Sequence, residues 1–107
     1  MEYQNYPRRE IEQTLAAWAK RHRLRVSDVY RDTFYYVDVV DNVGGKYEIS
    51  ICKEVETDLV KVRVWNQQKK SRGFRAEVSQ LEKVLEHAYS TIIRWMKQSR
   101  GSRIFAP

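Results

Sequence analysis

Between Thr33 and Asn66 the chain passes through three short segments in which apolar and polar side chains alternate. Successive side chains of a β-strand point to opposite faces, so this period of two predicts three strands that each bury one face. The residues predicted on the buried face are Tyr35, Val37, Val39, Tyr47, Ile49, Ile51, Val60, Val62 and Val64. The links at 41–45 and 56–58 are short and carry residues that favour tight turns, which predicts an antiparallel meander.

Cross-strand pairing favours one register for each hairpin. In the second hairpin, a register that places Ile51 opposite Val62 joins apolar side chains across the strands. In the first hairpin, a three-residue loop would place Asp38 opposite Glu48, whereas a five-residue loop would place Asp38 opposite Ser50. Because like charges that face each other are destabilising, we predict the five-residue loop.

Two amphipathic helices are predicted, one before and one after the strands. The first runs from Arg8 to about His22, and Pro7 precedes it at a position where a missing N–H costs nothing. Its apolar stripe contains Ile11, Leu15, Trp18, Ala19 and His22. The second runs from about Ala76 to Gln98, and its stripe contains Val78, Leu81, Leu85, Ala88, Ile92 and Trp95. Both stripes are predicted to pack on the sheet.

The second predicted helix is longer than the strands beneath it. At ~1.5 Å per residue it measures about 33 Å, whereas a strand of seven or eight residues spans about 25 Å. Its C-terminal turns are therefore expected to overhang the sheet. Ile93 and Met96 widen the apolar surface there, which predicts a contact with another part of the chain or with a second copy.

Together these elements predict an α+β fold. It is a two-layer sandwich in which a three-stranded antiparallel β-meander carries both helices on one face, in the order α-β-β-β-α. The length of 107 residues suits a single domain, 1–107, which can bury about two thirds of the surface that its unfolded chain exposes. This domain begins with a short polar segment, 1–6, and ends with a basic tail, 99–107.

The residue counts argue against several chemistries. Cys52 is the only cysteine and His22 and His87 are the only histidines, so we expect no internal disulfide, no metal site and no cofactor. The sequence has no nucleophile motif and no glycine-rich phosphate loop, which predicts a protein that is not an enzyme.

No apolar run approaches the roughly 20 residues that cross a bilayer, and no apolar signal core begins the chain. We therefore expect a cytoplasmic protein without membrane contact.

Charge is unevenly distributed along the chain, which has a net charge of +6. Residues 28–58 carry three basic and eight acidic side chains, and both flanks are basic. Two basic runs supply the candidate contacts for an anion, namely Lys20, Arg21, Arg23, Arg25, Lys69, Lys70, Arg72 and Arg75. A third run extends from Arg94 to Arg103. Because Lys and Arg release counterions from phosphates, the runs predict a small binding module for RNA, DNA or an acidic protein surface.

The predicted order of elements resembles that of the double-stranded-RNA-binding domain. That family carries a basic cluster just before its second helix, the place that Lys69, Lys70, Arg72 and Arg75 occupy here. The resemblance implies contacts to phosphates and 2′-hydroxyls across the minor groove. However, the turn at 42–45 lacks the Gly-Pro and His pattern of that family, and the second helix is not alanine-rich. The chain is therefore not assigned to it.

A second interpretation is that the sheet face opposite the core is an interaction surface. Phe34, Tyr36 and Trp65 are predicted to lie exposed on that face, while Ile93 and Met96 extend the apolar end of the second helix. Such a surface is typical of a protein-interaction module or a regulatory subunit, here including a homodimer.

Overall fold

The described part of the chain forms two helices and one antiparallel sheet. The computed structural model describes residues 8–29, 34–41, 44–54, 57–68 and 70–98. The elements are α1 (Arg8–Arg21), β1 (Arg25–Val29), β2 (Phe34–Val40), β3 (Lys46–Lys53), β4 (Leu59–Asn66), β5 (Ser71–Glu77) and α2 (Leu81–Gln98). A 3-10 turn, Val78–Gln80, precedes α2. The strands lie in the order β1-β2-β3-β4-β5, so each pairs with its neighbour in the chain.

The sheet is wider than the sequence predicts. The α+β class is confirmed, but the three-stranded meander in the order α-β-β-β-α is wrong, because β1 and β5 extend the sheet at its two edges. β5 contains the basic residues Arg72 and Arg75 and was not predicted to be a strand, since Gly73 interrupts it and few of its side chains are apolar. Its backbone nevertheless pairs with β4 from Ser71 to Glu77. Edge strands commonly carry charged residues, which weakens the apolar alternation that identifies a strand. With five strands, the order no longer matches the double-stranded-RNA-binding domain.

One apolar core lies between the inner face of the sheet and the two helices. All nine side chains predicted on the buried face of the strands are buried. The helices add Ile11, Leu15, Trp18, Ala19, Leu81, Leu85, Ala88, Ile92, Trp95 and Met96. Full burial of one large apolar side chain contributes roughly 1.5–3 kcal/mol, so this cluster is the main source of stability.

The two helices run antiparallel on this face. Arg21 Nη2 at the end of α1 lies 2.8 Å from Glu82 Oε2 and 3.0 Å from Glu86 Oε2 in the first half of α2. Nearer the start of α1, the ring of Trp18 meets Tyr89 edge-on, at 5.9 Å between centroids. α2 packs mainly on β4 and β5, and α1 packs on β1 and α2. No helix in the described ranges is long and apolar enough to span a membrane.

The predicted overhang of the second helix is wrong. α2 begins at Leu81 rather than at Ala76, because the preceding residues belong to β5 and the 3-10 turn. At ~1.5 Å per residue the helix is about 27 Å long, close to the span of the strands. Met96 is 1% exposed and Ile93 packs against the core. Met96 therefore cannot form the exposed interface that the sequence predicts.

The first hairpin has the shorter of the two loops considered. Asp38 pairs with Glu48 rather than with Ser50, which is the register of the three-residue loop. The predicted five-residue loop is therefore wrong. Gly44 has φ = +88°, a conformation that side chains rarely adopt and that three-residue hairpin loops commonly require. Gly45 N donates to Asp41 Oδ1 at 2.6 Å, which closes the loop. The second hairpin has the predicted register, with Ile51 opposite Val62.

Candidate anion-binding site

The structure disperses the second basic run over two faces of the sheet. Lys70 directly precedes β5, and Arg72 and Arg75 lie within that strand. Arg72 pairs with Val64, whose side chain is on the helix side of the sheet, whereas Arg75 pairs with Lys61 on the outer face. Lys69 lies outside the described residues. The four residues therefore do not form one patch.

Arg75 is committed to an internal ion pair. Its Nε and Nη2 donate to Glu54 Oε2 and Oε1 at 2.5 and 2.9 Å, a bidentate arrangement that ties β5 to the end of β3. These hydrogen bonds lower the pKa of Glu54 and raise the pKa of Arg75. Because Glu54 neutralises its charge and takes two of its N–H donors, Arg75 is a weaker candidate for phosphate contact than the sequence predicts.

The first basic run lies at the other edge of the sheet. Arg25 is in β1, and Lys20 and Arg23 are exposed next to it in the chain. Arg21 is held by Glu82 and Glu86 of α2. Four strand spacings separate β1 from β5, a distance of about 19 Å. The two predicted clusters therefore cannot contact the same phosphate.

A groove between β5 and α2 brings together cations that are distant in sequence. It has a volume of about 260 Å³ and is lined by Arg72, Phe74, His87, Ser90, Thr91 and Arg94. The four α2 residues follow the spacing i, i+3, i+4, i+7, which places them along one side of the helix. No carboxylate is among these lining residues. We call this feature the β5–α2 groove.

The cations at the groove are presented to solvent. Arg72 and Arg94 are exposed, and neither forms an ion pair within the described ranges. The guanidinium of Arg72 lies over the ring of Phe74, 5.2 Å from its centroid. Lys70 Nζ donates to Gln98 Oε1 at 3.3 Å and lies 5.1 Å from the ring centroid of Trp95. These neutral partners position the cations without neutralising them.

The acids of α2 face away from the groove. Glu82 and Glu86 contact Arg21 on the α1 side of the helix. Lys83 is exposed and lies on the groove side of α2 together with His87, Ser90 and Arg94. These four residues follow the helical spacing i, i+4, i+7, i+11, which aligns them in one row. This row was not predicted from the sequence, because its residues are three or four positions apart rather than consecutive. Their helical spacing would have identified it.

The outer face of the sheet is the second candidate surface. Tyr36 and Trp65 lie on that face, as their alternation predicts; Trp65 is 39% exposed, whereas Tyr36, which was predicted to be exposed, is half-buried. Phe34 is in β2, but its side chain lies outside the described part of the structure. An open depression of about 660 Å³ above Ser50 and Cys52 is bordered by Tyr36 and Trp65. Desolvation raises the pKa of the Cys52 thiol, which disfavours its reactive thiolate form.

Comparisons with protein-family models, with curated proteins and with solved structures gave no match for this chain.

Proposed function

We propose that this protein is a non-catalytic module that binds nucleic acid through phosphate contacts in the β5–α2 groove. The observation that carries this proposal is the convergence of Arg72 from β5 and Arg94 from α2 on one groove without a lining carboxylate. Two arginines that approach from different elements can hold a phosphate between them, and the exposed Ser90 adds a hydroxyl donor.

The shape of the charged row favours a linear polyanion. Lys83 and Arg94 are eleven residues apart on α2, a rise of about 16 Å, and Lys70 extends the row beyond them near Gln98. A nucleic-acid strand repeats its charge regularly over such a distance. An acidic protein surface would need a matching row of carboxylates.

Neither Phe74 nor Trp95 offers a free ring for base stacking in the described part of the groove. Phe74 is half-buried and lies beneath Arg72, and Trp95 is 8% exposed. Contacts to phosphates position a nucleic acid but carry no direct sequence information. The proposed binding is therefore independent of base sequence.

The proposal is tested by titrating the protein with labelled RNA and DNA duplexes and single strands at several salt concentrations. Four contacts, from Lys70, Arg72, Lys83 and Arg94, predict that log K falls with log salt at a slope of about −3.6 on duplex DNA. The double variant Arg72→Gln/Arg94→Gln should bind more weakly at low salt and reduce the magnitude of the slope by about 1.8.

The matched control is Lys20→Gln/Arg25→Gln, which removes the same charge at the opposite edge of the sheet. This variant should bind as the wild type does. An equal loss of affinity in both double variants would show that net charge alone attracts the nucleic acid, which contradicts the proposed groove. Equal competition by poly-glutamate would indicate an acidic protein partner.

A further inference from the structure

His87 lines the β5–α2 groove but is not one of the four proposed phosphate contacts. It lies on the groove side of α2, one turn after Lys83 and one turn before Ser90. Its side chain is exposed, and its imidazole forms no hydrogen bond or ion pair with the described residues. Thr91 Oγ1 donates to the backbone carbonyl of His87 at 2.9 Å, so this hydroxyl does not occupy the ring. Both ring nitrogens are therefore open to a ligand in the groove.

The charged side chains around His87 are basic. Arg72 reaches the groove from β5, and Arg94 lies two turns further along α2. Lys83 is exposed one turn before His87 on the same side of the helix. A phosphate that is attracted by these three cations is brought to the imidazole as well.

The other charges of the elements that pack around α2 point elsewhere. On β4, Lys61 and Arg63 alternate with buried valines and so lie on the outer face of the sheet. Glu77 of β5 lies on the outer face by the same alternation. On α2, Glu82 and Glu86 contact an arginine of α1 on the far side of the helix. Among the described residues of these elements, the charged groups that face His87 are therefore the three cations.

We propose that His87 is a further phosphate contact of the β5–α2 groove in its protonated form, so that nucleic-acid binding takes up a proton. Histidine changes charge between about pH 5 and pH 8, and an imidazolium donates from both ring nitrogens. A bound phosphate favours this charged form, because opposite charges attract strongly at hydrogen-bonding distance. The inference rests on the proposed function and adds its regulation, since binding should tighten as pH falls.

Titration of the protein with duplex DNA at pH 6 and pH 8 tests this linkage. Phosphodiesters keep their charge over this range, so a change in affinity must come from the protein. The wild type should bind about three- to tenfold more tightly at pH 6. One additional contact should also steepen the salt slope from about −3.6 to about −4.5. A wild-type affinity that is the same at both pH values overturns the inference.

Two substitutions of His87 bracket the expected behaviour. His87→Gln cannot take up a proton, so its affinity should not rise between pH 8 and pH 6. His87→Lys stays charged, so its affinity should exceed that of the wild type at pH 8 and change little with pH. Calorimetry in buffers of different protonation enthalpy counts the protons that binding takes up. It should show up to one proton for the wild type and none for either variant. A His87→Gln variant that keeps the pH dependence or the proton uptake contradicts the proposal.

The matched control is His22→Gln, which removes the only other histidine of the chain. His22 Nε2 lies 3.0 Å from Glu86 Oε2 on the side of α2 that faces α1. This variant should therefore keep the pH dependence of binding, and its loss would contradict the proposed role of His87. Far-ultraviolet circular dichroism at both pH values confirms that each variant folds. The proton count of the His87 variants provides a test that does not depend on this control.

Failure of this inference can be distinguished from failure of the proposed function. If Arg72→Gln/Arg94→Gln weakens binding but wild-type affinity does not change with pH, the groove binds nucleic acid without His87. If the wild type binds no nucleic acid at low salt at either pH, both proposals are wrong.

Discussion

Arg72 and Arg75 show how the environment divides two arginines of one strand into different roles. An odd separation along a strand places them on opposite faces. Glu54 neutralises Arg75 and takes two of its N–H donors, whereas Arg72 lies over a neutral ring and stays available to a ligand. The basic run in the sequence does not reveal this difference, because the role of each arginine depends on which residue faces its side chain in the folded protein.

Gly45 and Gly73 provide a matched pair of substitutions. A Cβ at Gly45 would lie 2.5 Å from Asp41 Oδ2, whereas a Cβ at Gly73 would lie 3.5 Å from the side chain of Arg63, an ordinary contact. We expect Gly45→Ala to destabilise the protein by about 1–3 kcal/mol, because the loop hydrogen bond from Gly45 N must shift. Gly73→Ala should stabilise it by about 0.5–1 kcal/mol, since glycine weakens a strand. Urea unfolding of both variants measures this, and equal effects would contradict it.

Glu48 makes stability depend on pH. Its pKa is raised by desolvation and by Asp38, so the folded state holds the proton more tightly than the unfolded chain does. The free energy of unfolding therefore falls as pH rises from the ordinary glutamate pKa through the raised one. Glu48→Gln should increase stability at neutral pH by about 0.2–1 kcal/mol and give no gain in acid below that window.

The pH prediction is checked by thermal unfolding of dilute, monomeric protein across the acid range. Asp38→Asn supplies the control, because it removes the other half of the same repulsion. In a double-mutant cycle the two gains should not add. Additive gains would show that the two carboxylates do not interact.

At the scale of elements, the interior of the fold was predictable and its edges were not. β2, β3 and β4 each bury one complete face, so their alternation is regular. β1 and β5 lie at the edges, and in β5 only Phe74 and Ala76 provide apolar side chains toward the helices. What makes β5 a strand is its pairing with β4, which local sequence does not encode.

Phe74 tests whether β5 contributes to the core as a strand. The side chain is half-buried and packs against the apolar cluster, so Phe74→Ala should destabilise the protein by about 1–2 kcal/mol, less than the roughly 3–5 kcal/mol of a fully buried phenylalanine. Phe74→Leu should recover most of this loss. Chemical denaturation measures both variants, and a Phe74→Ala variant of wild-type stability would contradict the packing of β5.

For the whole molecule, the sequence predicted the class and the core but neither candidate site in full. Hydrophobic periodicity identified α1 and all nine inner strand positions. This periodicity can be recognised locally, because it depends only on residues that are close together in the chain. The groove depends on Arg72 and Arg94, which come from elements whose arrangement is tertiary. The acidic pair on the outer face arises from the short first hairpin, which repulsion between Asp38 and Glu48 had argued against.

The meander order of the sheet also has a consequence for folding kinetics. Every strand pairs with the next one in the chain across a link of four or five residues, so loop closure costs little entropy at each step. Among the described residues, the early helix α1 packs against the late helix α2. We therefore expect hairpins to form early and the helices to dock on them late, with refolding on the millisecond scale typical of mixed folds with local contacts.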